Sequence, residues 1–328
     1  MGSSLTFLEV FSAEPGAATG VSFARYMELA MYHPTVGYYT RNFRRVGKDK
    51  QADFFTATTF SPVFGELVVA AAVKLLGDQS PGELTFVEIG AEPAGGALKD
   101  VAHPFAEYRT ISFGQPITLP PRCVAFSNEL FDAQPFHRVV YRRSGWRELG
   151  VALQDGHLRE VELPEFSPEV AAAANRLPVR SVEDYHIDLP LRAEQILKPM
   201  VDQPWTGLFL AFDYGKSWRE LAELIPFGTG RTYFRQKMGD DLLGRPGEQD
   251  LTCHICWDWL ADVLQNRGFG EAVVESQEAF FTRHATAALA ALTAAEAGRF
   301  SKRKQMLKQL LHPGNMGQKF QAMFALRP

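Results

Sequence analysis

Apolar positions fall into three kinds of run along this chain. Near the start the period is helical: Phe23, Tyr26, Met27 and Ala30 share one face, Ser22 stands at the capping position and Pro34 stops the run. Ser61-Pro62 opens a second helix, whose Phe64, Leu67, Val68, Ala71, Leu75 and Leu76 carry an apolar stripe to Gly77. The pattern then changes to short apolar runs at 84–89, 108–113, 123–127 and 207–213. Such runs, bounded by turn residues and free of polar alternation, predict strands buried on both faces, as in a parallel sheet. Between the last two, apolar stretches at 137–143, 146–153 and 157–163 are separated by Ser-Gly and Asp-Gly turns, which predicts an antiparallel meander. Helices are expected at 167–175 and 191–201, and a short one after Gly215, followed by an irregular stretch. A helix from near Thr252 to Arg267, a strand at 271–276, two helical stretches and a strand at 319–326 complete the pattern. The helix expected at 295–311 carries Lys302, Arg303, Lys304 and Lys308, which reads as a solvated face.

Charge narrows the partners. Among 328 residues, 38 acidic side chains outnumber 34 Lys and Arg, for a formal net charge of −4. No overall basic field exists to draw in nucleic acid. Three cysteines, Cys123, Cys253 and Cys256, without a basic and apolar leader, point to a reducing compartment rather than a disulfide framework. No apolar stretch is long enough to span a bilayer, so a cytoplasmic protein with no membrane partner is expected. Cys253-His254-Ile255-Cys256 lacks the second ligand cluster that a structural zinc site needs. Its cysteines open an apolar helix, and core packing without metal is the expectation.

Candidate chemistry gathers at the ends of the predicted strands. Glu88-Ile89-Gly90 ends the first, and Gly95-Gly96 lead into a helix expected at Leu98. A triphosphate loop would need Lys and Ser or Thr after its second glycine, where Gly96 and Ala97 stand. A dinucleotide fingerprint would need glycine at Glu92, whose carboxylate would repel a pyrophosphate. A ligand that needs no phosphate cradle remains, and S-adenosylmethionine is one, because its sulfonium and amino groups accept an acid such as Glu88 nearby. The alternative is a plain strand-to-helix turn. After the third strand, Asn128-Glu129 and Asp132 place two acids three residues apart, a spacing suited to holding a guanidinium or to capping a turn. Asp213-Tyr214-Gly215 ends the fourth strand, so Glu88, Asn128 and Asp213 are expected at one crevice.

These segments, in this order, resemble the MidA-like methyltransferases, bacterial relatives of the mitochondrial complex I assembly-factor protein arginine methyltransferase. The resemblance rests on Tyr26-Met27-Glu28-Leu29-Ala30 with Gly37-Tyr38-Tyr39, on Ala52 to Thr56, on Phe64-Gly65-Glu66 and on Glu88-Ile89-Gly90. It continues through Asn128 to Pro135, Asp213-Tyr214-Gly215, Gly228-Thr229, Arg231, Tyr233, Pro246-Gly247, Asp250-Leu251-Thr252, His254, Met316-Gly317 and Phe320. It implies an α/β fold with a Rossmann-like seven-stranded methyltransferase sheet. A helical N-terminal cover would take residues 1–80, the core 81–136 and 206–328, and an inserted antiparallel β and helical subdomain 137–205. It also implies S-adenosylmethionine over Gly90, with Thr56, Glu88, Gly90, Gly95, Gly96 and Asn128 on the cofactor. Asn128, Glu129 and Asp132 would line the transfer site, Asp213 and Tyr214 the substrate side, and a protein arginine would be the acceptor.

Departures from the family pattern fall on the cofactor side. Glu92-Pro93 fill a turn two residues longer than the pattern, and Thr59 stands where an acid is usual. Ile111-Ser112-Phe113-Gly114-Gln115 offers no acid to a ribose, and the short span from Phe113 to Cys123 leaves little room for a helix and a strand. A second reading therefore stands beside the enzyme: a non-catalytic family member acting as a binding or assembly module.

Overall fold

The computed structural model describes residues 5–40, 62–91, 95–235, 237–298 and 300–328. Thr56, Thr59, Ser61, the basic run 41–48 and the Glu92-Pro93 pair lie outside the described residues. Two compact units divide the chain, one within 56–130, 194–215 and 257–328, the other within 1–55, 131–193 and 216–256.

The first unit is built on six strands, β1 (Thr85–Ile89), β2 (Glu107–Ile111), β3 (Arg122–Asn128), β4 (Thr206–Asp213), β5 (Val273–Ser276) and β6 (Gln321–Arg327). Their order across the sheet is β5-β6-β4-β3-β1-β2. β1 is parallel to β2 and β3, and β3 to β4, while β6 runs antiparallel to β4 and β5. Strands β3 and β4 are buried along nearly their whole length, as unbroken apolar runs require, whereas the edge strand β2 carries the exposed ion pair Glu107–Arg109 at 2.9 Å. The register aligns Ile111, Ile89, Ser127 and Ala211 in one row. Gly90 and Asn128 stand one residue beyond that row and Asp213 two, so the carboxyl ends of three strands converge.

Helix α1 (Val63–Leu75) covers one face of this sheet through Phe64, Leu67, Val68, Ala71 and Ala72. The Phe64 ring meets Phe212 at 5.4 Å and Phe281 at 5.9 Å between centroids. Each such buried aromatic adds roughly 1.5–3 kcal/mol of apolar burial. α2 (Trp257–Gln265), α3 (Gln277–His284), α4 (Thr286–Ala295) and α5 (Lys302–Leu311) complete the unit.

Three expectations change. The sheet has six strands among the described residues, not seven: residues 112–121 form no helix or strand. Pro116, Pro120 and Pro121 remove backbone donors there, and Gln203 ties the stretch down by accepting from Leu119 N at 2.8 Å and donating to Ile117 O at 3.0 Å. The helix expected from Thr252 starts at Trp257, because Asp250–Thr252 is instead a strand paired with Arg231–Phe234. The amphipathic helix expected at 295–311 starts only at Lys302, where Ser301 caps α5 by accepting from Lys304 N at 3.1 Å, and Ala295 instead ends α4.

The second unit holds the helix Phe23–Tyr32, capped by Ser22 as its sequence predicts, and the meander His137–Arg142, Gly145–Gln154 and His157–Glu162. A strand at His186–Leu189 pairs with the first meander strand. It carries Asp188, almost fully buried, whose Oδ2 accepts from Thr229 N and Gly230 N at 2.6 Å each and whose Oδ1 faces Arg138 Nε at 3.0 Å. Thr229 in turn accepts from His254 N at 3.1 Å.

Burial, with Lys216 and Arg231 nearby, lowers the His254 imidazole from an ordinary 6.5 to about 4. The unfolded chain therefore takes this proton first as pH falls. Stability contributed by neutral His254 is complete above the ordinary value and is lost between about 6.5 and about 4. Urea midpoints should fall over that window in the wild type and fall less in His254→Gln. Parallel pH profiles for the two would refute this assignment.

Candidate functional site

Glu88 is the fourth residue of β1 and is 2% exposed. A carboxylate in that position needs donors, and it finds two on one oxygen. Its Oε2 accepts from the Tyr108 hydroxyl at 2.5 Å and from Ala97 N at 2.7 Å. Burial pushes the carboxyl above the usual range, and the Tyr108 hydroxyl and the Ala97 amide pull it back. Glu88 thus fastens the glycine turn to β1 and to Tyr108 on the neighbouring strand.

Glycines make this closure possible. A Cβ at Gly96 would overlap both the Tyr108 hydroxyl and Glu88 Oε2. Gly90 has φ +83°, and a Cβ there would sit 2.9 Å from Leu130 Cδ1. Gly65 of α1 shows the same constraint from the helix side, since a Cβ on it would overlap the Ala97 carbonyl oxygen. Glycine inside a helix costs about 0.5–1 kcal/mol relative to alanine, and here it lets α1 lie directly against the turn.

At the end of β3 the backbone is strained. Glu129 has φ +54°, an unusual conformation for a residue with a side chain, and its N–H donates to Phe212 O at 2.9 Å. Asn128 Nδ2 donates to Glu129 Oε1 at 2.9 Å, while Asn128 Oδ1 is buried with no hydrogen-bond partner. A buried acceptor left open in this way costs about 1–3 kcal/mol unless a ligand donor meets it. Asp213 is completely buried, and its Oδ1 accepts from Tyr214 N at 2.8 Å. The Tyr214 and Phe320 ring centroids are 4.0 Å apart.

The first unit therefore brings Glu88, Gly90, Gly95, Gly96, Asn128, Glu129, Asp213 and Tyr214 to the carboxyl side of one sheet. Asp132 belongs to the second unit, where it is 4% exposed and its carbonyl accepts from Cys253 N at 3.0 Å. Thr56 lies outside the described residues. Sequence reading missed Tyr108 and the close approach of Gly65; the signal available was a tyrosine on the strand that follows the glycine turn.

S-adenosylmethionine meets a partial match. The ammonium of its methionine end would supply N–H donors to the open Asn128 Oδ1, and Gly90 keeps the end of β1 free of a side chain. No carboxylate stands at the end of β2 for the ribose hydroxyls. Among the described residues, no group of three His, Cys, Asp or Glu side chains is placed to hold a metal ion, and no helix is long and apolar enough to cross a membrane.

Residues 72–273 match the family model described as "Putative S-adenosyl-L-methionine-dependent methyltransferase". The chain is 25% identical to the mitochondrial protein arginine methyltransferase NDUFAF7 of Danio rerio, over 74% of this chain and 68% of that protein. Its counterpart in Xenopus tropicalis is 22% identical, over 74% and 67%. Among solved structures, a Burkholderia thailandensis protein described as a "likely methyl transferase" bound to S-adenosyl-homocysteine shares the fold, with a TM-score of 0.85 and 24% identity. That match covers 98% of this chain and 92% of the other.

Removing the Tyr108 hydroxyl should expose the cost of the buried carboxylate. Tyr108→Phe is expected to lose about 1–3 kcal/mol of unfolding free energy in urea. Unchanged stability in that variant would show that Glu88 does not depend on this donor.

Proposed function

Because the chain belongs to the S-adenosyl-L-methionine-dependent methyltransferase family matched over residues 72–273, we propose that it transfers a methyl group to an arginine side chain of a protein. The observation that carries the reading is the open, buried Asn128 Oδ1 beside the Glu129 carboxylate, at the strand end next to Gly90. Bound at Gly90 and Asn128, the cofactor supplies an electrophilic methyl group on sulfonium.

This chain's own residues supply position and charge. Glu129 presents a carboxylate that can pair with a guanidinium by charge-assisted hydrogen bonds and hold one nitrogen toward the methyl group. Its φ of +54° fixes the direction from which the carboxylate leaves the backbone. Asn128 Nδ2 holds Glu129 Oε1 at 2.9 Å, so the two side chains are oriented together. Orientation is the main contribution an in-line displacement needs, and misplacement by about 1 Å costs on the order of 10²-fold. Asp132 enters this reading through the sequence pattern from Asn128 to Pro135. The arginine acceptor follows the two NDUFAF7 relatives.

The test is transfer of labelled methyl from S-adenosylmethionine to protein, followed by hydrolysis and identification of the modified residue. Methylarginine is expected with the wild type, and Asn128→Ala should reduce labelling about 100-fold while the protein remains folded by circular dichroism. Label on another residue type would overturn the arginine acceptor. Failure of S-adenosylhomocysteine to give any binding heat with folded protein would favour the non-catalytic module.

A further inference from the structure

Between the end of α4 and α5 the first unit has an open cavity of about 820 Å³. It stands on the segment whose lysines read from the sequence as a solvated helix face. Two kinds of side chain line it. Phe300, Leu307 and Leu311 supply apolar surface, and Lys304 and Lys308 supply charge. On α5 they share one face, because Lys304, Leu307, Lys308 and Leu311 follow one another at three- and four-residue steps. A helix face that meets only water sets its charges opposite the apolar stripe. Here cations and leucines meet at the edge of one hollow.

Charge at this place is unbalanced. Glu296 also lines the cavity, but Arg303 already reaches it, Nε to Oε1 at 3.6 Å, while holding Glu66 at 2.7 Å. Lys304 and Lys308 are exposed, and neither has an ion pair among the described residues. Phe300 is 93% exposed although it lines the cavity, so the apolar wall is open to water. Apolar surface beside uncompensated cations is complementary to apolar groups flanked by carboxylates.

The openness of the hollow selects the kind of occupant. Small-molecule sites cover about 70–90% of their ligand, whereas the exposed wall here would leave one side in water. A partner protein closes that side with its own surface. A bilayer is flat and would leave the hollow unfilled. A second copy related by a two-fold axis would set the two lysine rows against each other. We propose that the groove between α4 and α5 docks a segment of a partner protein in which bulky apolar side chains are flanked by carboxylates. The apolar groups enter the cavity against Phe300, Leu307 and Leu311, and the carboxylates pair with Lys304 and Lys308. The proposal is independent of the methyl-transfer reading.

Fluorescence anisotropy of the full chain with two labelled peptides tests this. One is built of glutamate and leucine, with leucines at three- and four-residue spacing, and the other has lysine in place of every glutamate. The glutamate peptide should bind at least about tenfold tighter, and its advantage should shrink as salt is raised. Lys304→Glu combined with Lys308→Glu should weaken it about tenfold and Phe300→Ser about fivefold. Thermal midpoints should not change, because all three side chains are exposed. No binding of the glutamate peptide by folded wild type, or unaltered affinity in the double lysine variant, would overturn the proposal. So would either competing occupant: phosphatidylserine vesicles bound while the glutamate peptide is not, or a dimer in sedimentation that Phe300→Ser dissolves.

Discussion

A carboxylate at 2% exposure in a parallel sheet has to be met by donors, and at Glu88 they come from two directions. The Tyr108 hydroxyl arrives from the edge strand and the Ala97 amide from the glycine turn, both on the same oxygen. Much of the local architecture follows from that demand. Tyr108 must sit on β2 opposite Phe86 with its hydroxyl reaching Glu88, Gly96 must lack a side chain, and the turn must fold back onto its own strand. Glu88 therefore has a structural part to play within the chain through these two bonds. An acid at this point in the sequence suggests attraction of a cationic cofactor, and the geometry shows a carboxylate engaged in shaping the turn that would receive one.

The end of β3 shows the opposite economy. Here Glu129 adopts a left-handed backbone and Asn128 keeps a buried carbonyl open, two features that each oppose folding by roughly 1–3 kcal/mol. They lie next to the end of β1, where Gly90 leaves space, rather than in the aromatic layer formed by Phe64, Phe126, Phe212 and Phe281. The unit is thus tightly packed on its helical face and keeps Asn128 Oδ1 open at its carboxyl edge.

Much of this was legible from the amino acids. Short apolar runs have a simple signature, and the four parallel strands begin and end within about two residues of expectation. The meander was equally clear, because Ser144-Gly145 and Asp155-Gly156 mark its turns. Short strands that exist through pairing alone left no such mark. Arg231–Phe234, Lys237–Gly239 and Asp250–Thr252 lie in a stretch rich in Gly, Arg and Asp, and only their mutual registry makes them a sheet. Of the candidate site, the strand ends could be read and their partners could not. Nothing in local sequence says that Tyr108 reaches Glu88, that Asp213 turns back on Tyr214 N, or that Asp132 falls in the other compact unit.

Gly65 gives the glycine turn a fixed wall. With no side chain between them, α1 and the Ala97 carbonyl are in direct contact, and α1 is itself held to α5 by the Glu66–Arg303 ion pair at 2.7 Å. The downstream half of the turn has no room to change length without displacing a helix that also supports the aromatic layer. A change in the length of this turn is therefore not taken up between Ala97 and α1, where the two backbones already meet.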